Sequence, residues 1–279
     1  MNIIILDIDT LIVSLTDLPA LVNLGCVNKY FYKLVRDRSI IKQWLIIKNM
    51  YGGKSIGEIF IKVCGKGFLS YAMFLIKENE INIHAGDEAA FRDSCANGHM
   101  QIARWLIHLG ESGEYNKINI HGADEDPFRW SCINGHIEIA RWLIHLGESG
   151  EYGKINIHAC GERAFRWSCE NGHIQMNRWL INLGESGEYG KINIHALDEY
   201  AFRSNCENGN IQIANWLIDL GESGEYKKIN IHALDEYAFR SSCINGHIQI
   251  ANWLINLGES RGYNKIDTQI IDEYIKYIK

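Results

Sequence analysis

Two short amphipathic patterns follow each other along most of the chain. In DEAAFRDSCA (87–96), Phe91 and Cys95 stand four residues apart, on one face of a helix. Asn97-Gly98 ends that helix, because glycine takes the left-handed position after a helix at little cost. In MQIARWLIHL (100–109), Gln101, Arg104 and His108 make a polar stripe at i, i+3 and i+7. Ile102, Ala103, Trp105, Leu106 and Leu109 fill the remainder, which predicts a second, more apolar helix stopped by Gly110. The polar loop GESGEYNK (110–117) then leads into an extended INIH.

The unit repeats. INIH begins at Ile81, Ile118, Ile155, Ile192 and Ile229, always 37 residues apart, and Phe91, Cys95, Gly98 and Trp105 recur in the same register. Five copies span 81–265. A worn copy over 54–80 precedes them: at a shift of 31, Phe60, Cys64, Gly67 and Phe74 match Phe91, Cys95, Gly98 and Trp105, and the six missing residues fall in the loop. After the last copy, 266–279 carries Ile270, Ile271, Tyr274, Ile275 and Ile278 at helical spacing, as a terminal capping helix would. No single unit can bury its own helix faces, so the expected fold is all-α: about six helix-turn-helix units with short hairpin loops, stacked into an α-solenoid.

Residues 1–45 lie outside the repeat. Ile8, Leu11, Ile12 and Leu15, then Leu21, Leu24 and Val27, then Leu34, Ile41 and Trp44 read as three short amphipathic helices. The apolar start is interrupted by Asp7 and Asp9 and lacks a basic flank, so it reads as a folded helix and not as a leader. No apolar run is long enough to span a bilayer.

These residues carry two resemblances. The short helix, the turn at glycine (Asn-Gly-His in four of the copies), the I-x-I-A-x-W-L-I-like helix and the hairpin segment, in that order six times over 54–265, resemble the ankyrin repeat. The family's Thr-Pro-Leu-His is replaced by Ala-Ala-Phe-Arg or variants, with Pro127 alone keeping the proline, and the extra length sits in the loop. Such units are similar to those in proteins of large DNA viruses of amoebae. The L-x-x-L-x-x-V-N-K…L-x-x-D…W run of 21–44 resembles the F-box, with Ile4-Ile5 where that family has Leu-Pro. That resemblance implies docking of a Skp-type adaptor of a cullin–RING ubiquitin ligase through Leu15, Leu21, Leu24 and Val27. A helical cap shielding the first repeat is the other reading of this head.

Comparing the five copies separates positions that packing fixes from positions left free. Three sites on the first helix vary, spaced +4 and +3 on one face: Ala89, Asp93 and Ala96; Asp126, Trp130 and Ile133; Arg163, Trp167 and Glu170; Tyr200, Ser204 and Glu207; Tyr237, Ser241 and Ile244. The hairpin-side position varies too: Gly86, Ala123, Cys160, Leu197 and Leu234. The ankyrin resemblance implies that this face is the concave ligand surface, so the last four sets are the candidate target-binding residues. Trp130 and Trp167, one repeat apart, are the candidate hot spot. The plain alternative is two tryptophans that pack on the next helix. Glu88 and Arg92, identical in every copy, have the spacing of a helix-stabilising ion pair.

Charge and composition narrow the rest. Residues 1–80 hold 10 Lys and Arg against 7 Asp and Glu, whereas 81–279 hold 18 against 27. An array at net −9 repels phosphate backbones and favours basic or neutral protein partners. Six of the 8 Cys are one repeat position, too widely spaced between stacked units for disulfides, which fits a reducing intracellular compartment such as host cytoplasm. Nine of the 11 His are locked to the repeat without clustering as metal ligands would; His99 and its copies serve the turn into the second helix, where Asn210 replaces them as a helix cap. Gly53-Lys54-Ser55 lacks the first glycine of a phosphate loop, and Gly110-Glu111-Ser112-Gly113 lacks the spacing of a nucleophile elbow. The expectation is a monomeric, cofactor-free, non-enzymatic scaffold. It either links a target protein to a Skp–cullin ligase or acts as a plain interaction or decoy module.

Overall fold

A computed structural model of the chain describes residues 55–269. The head at 1–45, with Leu15, Leu21, Leu24 and Val27, lies outside the described residues, as does the capping segment after Gln269.

The described residues form twelve helices and no strand. The first pair, α1 (Ile56–Gly65) and α2 (Leu69–Glu78), is the worn copy. The full copies give α3 (Ala85–Ala96) with α4 (Met100–Glu111), α5 (Gly122–Ile133) with α6 (Ile137–Glu148), and α7 (Ala159–Glu170) with α8 (Ile174–Glu185). They continue as α9 (Ala196–Glu207) with α10 (Ile211–Glu222), and α11 (Ala233–Ile244) with α12 (Ile248–Ser260). Each odd helix packs on its own even partner and on the odd helices of the neighbouring units.

The turn inside each pair follows from its sequence. Gly98 sits at φ +82, and the His99 amide returns to the Ser94 carbonyl at 2.9 Å, the six-to-one bond of a Schellman turn. Glycine is needed there twice over. A Cβ at Gly98 would meet the ring of His136 at 2.8 Å, because that histidine lies against the turn of the preceding unit. In the same way His99 Nε2 reaches the Gly65 carbonyl at 3.1 Å. Asn210, in the histidine position, donates to the Glu170 carbonyl at 3.2 Å. These side chains thus serve the turn, but none caps its helix; they tie one unit to the one before.

The core is one continuous cluster along the stack. Its regular feature is a tilted ring pair between units: Phe60 with Trp105, Phe91 with Trp142, Phe128 with Trp179, Phe165 with Trp216 and Phe202 with Trp253, all 6.3–6.4 Å between centroids. The phenylalanines are buried, and burying each one is worth roughly 2–3 kcal/mol. Cys64, Cys95, Cys132, Cys169 and Cys206 are free and buried beside them, and burial raises their thiols above the ordinary range. A neutral, buried thiol packs as a small apolar group.

Two expectations change. Gly110 does not stop its helix; α4 runs through it to Glu111. A Cβ at Gly110 would stand 2.9 Å from the Asn116 carbonyl and the Ile118 amide, so the glycine lets the loop fold back onto the helix. Glu88 and Arg92 do not make a helical ion pair. Gly86, Asp87 and Glu88 all lie in the left-handed region, and α3 turns right-handed only after them. The same left-handed turn opens α5, α7, α9 and α11, and thirteen of its residues over the five copies are not glycine. Each such residue costs about 1–2 kcal/mol of backbone strain. The turn is held by the residues that looked like an ion pair. The arginine donates to the turn's first carbonyl, as Arg129 does to Ala123 at 3.0 Å and Arg203 to Leu197 at 3.1 Å. The glutamate is buried and accepts from the histidine four residues before it and from the Asn amide of the next unit, at 2.9 Å each for Glu125 with His121 and Asn156.

Candidate functional site

The variable positions all fall on the odd helices, where each unit meets its neighbours. Local geometry decides how far each side chain reaches solvent. Ile133 is 2% exposed, and Ser204 and Ser241 are buried with hydroxyls donating to Ala201 and Ala238. These three therefore do not present a binding surface, contrary to the sequence expectation. Asp126, Trp130, Arg163, Trp167, Glu170, Tyr200, Glu207 and Tyr237 are half-buried, and Ile244 is 59% exposed.

The half-buried residues form a run of contacts from unit to unit. Asp126 accepts from Arg92 at 3.2 Å and from Arg129 at 2.6 Å. Trp130 and Trp167 meet edge to face, 6.1 Å between centroids at 82°. The Arg163 guanidinium lies 4.0 Å from the Trp167 centroid and 5.8 Å from that of Trp130. Such a stack combines ring–ring and cation–π attraction, and all three side chains are half-buried. Further along, the Tyr200 hydroxyl donates to Glu170 at 2.8 Å under Arg166, and the Tyr237 hydroxyl donates to Glu207 at 2.9 Å under Arg203. Burial and then the Glu170 bond push the Tyr200 hydroxyl up to about 12, so it remains a donor.

The differences between copies are consequently paired. Where one unit ends its odd helix in glutamate (Glu170, Glu207), the next places tyrosine opposite it; where it ends in Ile133, the next has Arg163. The plain reading of the tryptophans holds in part, since they pack on each other across one repeat. What remains open to solvent is a second line. Leu197 and Leu234, in the left-handed turns at φ +53 and +54, are 59% and 50% exposed. Three of the five exposed large apolar side chains among the described residues, Leu197, Leu234 and Ile244, stand at variable positions. The hairpin-side position varies between the copies, but nothing in the sequence marks it as a strained turn that projects a leucine.

Among the described residues no three His, Cys, Asp or Glu side chains converge as metal ligands, and no helix is long and apolar enough to cross a membrane. No family model and no curated protein matches the chain.

Proposed function

We propose that this chain is a protein-interaction scaffold, an ankyrin-like α-solenoid that holds a target protein along its odd-helix layer. The observation that carries this reading is the concentration of exposed apolar side chains at the positions where the copies differ. Exposing Leu197 and Leu234 from strained turns contributes nothing to the core, whereas a partner that covers them recovers the apolar burial. The Trp130–Arg163–Trp167 stack supplies the rigid aromatic anchor typical of interface hot spots. The buried free cysteines suit an intracellular, reducing compartment.

The F-box-like head, residues 1–45, extends the proposal: it docks a Skp-type adaptor, making the chain a substrate receptor of a cullin-type ubiquitin ligase. The test is quantitative co-purification from a eukaryotic lysate with the full chain. An adaptor should be enriched, and polar substitutions at Leu15, Leu21, Leu24 and Val27 should abolish that enrichment without changing the target. If no adaptor co-purifies with the intact chain, the ligase link is lost and the chain is a plain interaction or decoy module.

A further inference from the structure

We infer that the N-terminal end of the loop ladder is a binding site for a primary ammonium group, supplied by a lysine side chain of a partner protein. It lies on the loop edge of the array, apart from the odd-helix face.

The chain contains its own templates for such a site. At each inner junction a lysine from one loop reaches the Glu-Tyr pair of the next. Lys117 Nζ is 2.8 Å from a Glu151 oxygen and 5.6 Å from the Tyr152 ring centroid. Lys154 repeats this with Glu188 and Tyr189, at 3.2 and 5.6 Å, and Lys191 with Glu225 and Tyr226, at 2.6 and 5.6 Å. The last rung separates the two contributions. Gly262 stands where the glutamate would be, yet Lys228 Nζ stays 5.1 Å from the Tyr263 centroid and donates to the Arg261 carbonyl instead. The aromatic face and a nearby oxygen therefore suffice to place the ammonium.

At the first junction the receiving half is present and the lysine is not. Glu114 and Tyr115 occupy the register of Glu151 and Tyr152, but the residue in the register of Lys117 is Glu80. Glu80, Ile81, Asn82, Glu114 and Tyr115 line an open cleft of about 370 Å³. Glu80 and Glu114 are exposed, and Tyr115 is half-buried. The worn copy, six residues short in its loop, brings no other cation over the ring among the described residues. Two carboxylates and an aromatic face without a cation attract an ammonium more strongly than one rung's single carboxylate does. The net −9 of residues 81–279 adds a long-range attraction for basic partners.

The test uses the full chain with ¹³C-labelled tyrosine at low ionic strength, titrated with Nα-acetyl-lysine N-methylamide. The Tyr115 ring signal should shift saturably, half-maximally on the order of 10 mM, as expected for one exposed charge pair plus a cation–π contact. The Nε-acetylated probe should give no shift, and Glu114→Gln should weaken binding at least fivefold. Glu80→Lys should remove the response, because it supplies the ammonium from within, and should raise the melting temperature by about 1–2 °C. Absence of a saturable shift, or one unchanged in Glu114→Gln or Glu80→Lys, overturns the site. Zero-length carbodiimide cross-linking of the chain alone, with the Lys117–Glu151 product as internal standard, tests the source. It should yield no product joining Glu80 or Glu114 to a lysine of residues 1–54; such a product would show that the chain fills its own cleft and overturn the partner assignment.

Discussion

The Nε2 of His121 lies 2.8 Å from the carbonyl oxygen of Tyr152, and a glycine makes that contact possible. Gly153 stands at φ +83, a backbone angle that turns the preceding carbonyl toward the ring. Gly190 at φ +81 does the same for His158, whose Nε2 meets the Tyr189 carbonyl at 2.7 Å. In the other three full copies the residue is Asn116, Lys227 or Asn264, and the Nε2 atoms of His84, His195 and His232 have no hydrogen-bond partner. His121 and His158 also hold a glutamate at Nδ1, Glu125 and Glu162, at 2.9 Å. Both partners of each ring are oxygens that accept, an arrangement that favours the imidazolium, in which both ring nitrogens donate.

A pH dependence follows. Burial opposes the charge on His121 and His158, but the backbone carbonyl and the glutamate outweigh it, and both rings titrate above their ordinary value. A raised folded value means that the stabilisation is fully present below the unfolded-state value near 6.5 and is lost as pH rises through the folded value. Histidine-resolved NMR should find His121 and His158 titrating above 6.5. Gly153→Asn should lower His121 alone and cost about 1 kcal/mol of stability. If His121 titrates identically in that variant, the glycine does not govern the ring.

The inter-unit ring pairs should dominate stability. Phe128 is fully buried against Trp179, so Phe128→Ala should cost about 3–5 kcal/mol in urea unfolding. A loss under 1 kcal/mol would show that the units do not depend on this contact.

Gly147 tests the reading that these in-helix glycines make room for the loop. A Cβ there would stand 2.6 Å from the Gly153 carbonyl, which is backbone and cannot swing aside. Although alanine is the better helix former, Gly147→Ala should destabilise by about 1–3 kcal/mol. A stabilising outcome would mean that the glycine serves only to end the helix.

Much of this was legible in the sequence, and the part that was not has a definite cause. The 37-residue period, the Phe and Cys face, the polar stripe of Gln101, Arg104 and His108, and the turn at Gly98 all come from local spacing, and the structure places them as expected. Contacts between units are a different matter. Ile133 and Ile244 are the same residue in the same register, yet one is 2% exposed and the other 59%. Ile133 is followed by α7, the odd helix of the next unit, whereas among the described residues no odd helix follows α11. Glu88 and Arg92 have ideal helix-pair spacing, and only the left-handed turn, which Asp87 and Glu88 give no local reason to expect, diverts them to His84 and Asp126. The copy-to-copy variation likewise mixes two causes, since Tyr200 differs from Arg163 partly because Glu170 differs from Ile133.

The central claim is that the odd-helix layer holds a partner through its exposed apolar line and the tryptophan stack. The most direct measurement is quantitative affinity capture from a eukaryotic lysate, comparing the full chain with two variants: Leu197→Asp with Leu234→Asp, and Trp130→Ala with Trp167→Ala. The leucine pair is exposed, so its helical circular dichroism and melting temperature should match the parent chain. Both variants should lose the same captured target, by at least tenfold, while the helical signal persists. A target retained at the parent level by both variants would contradict it.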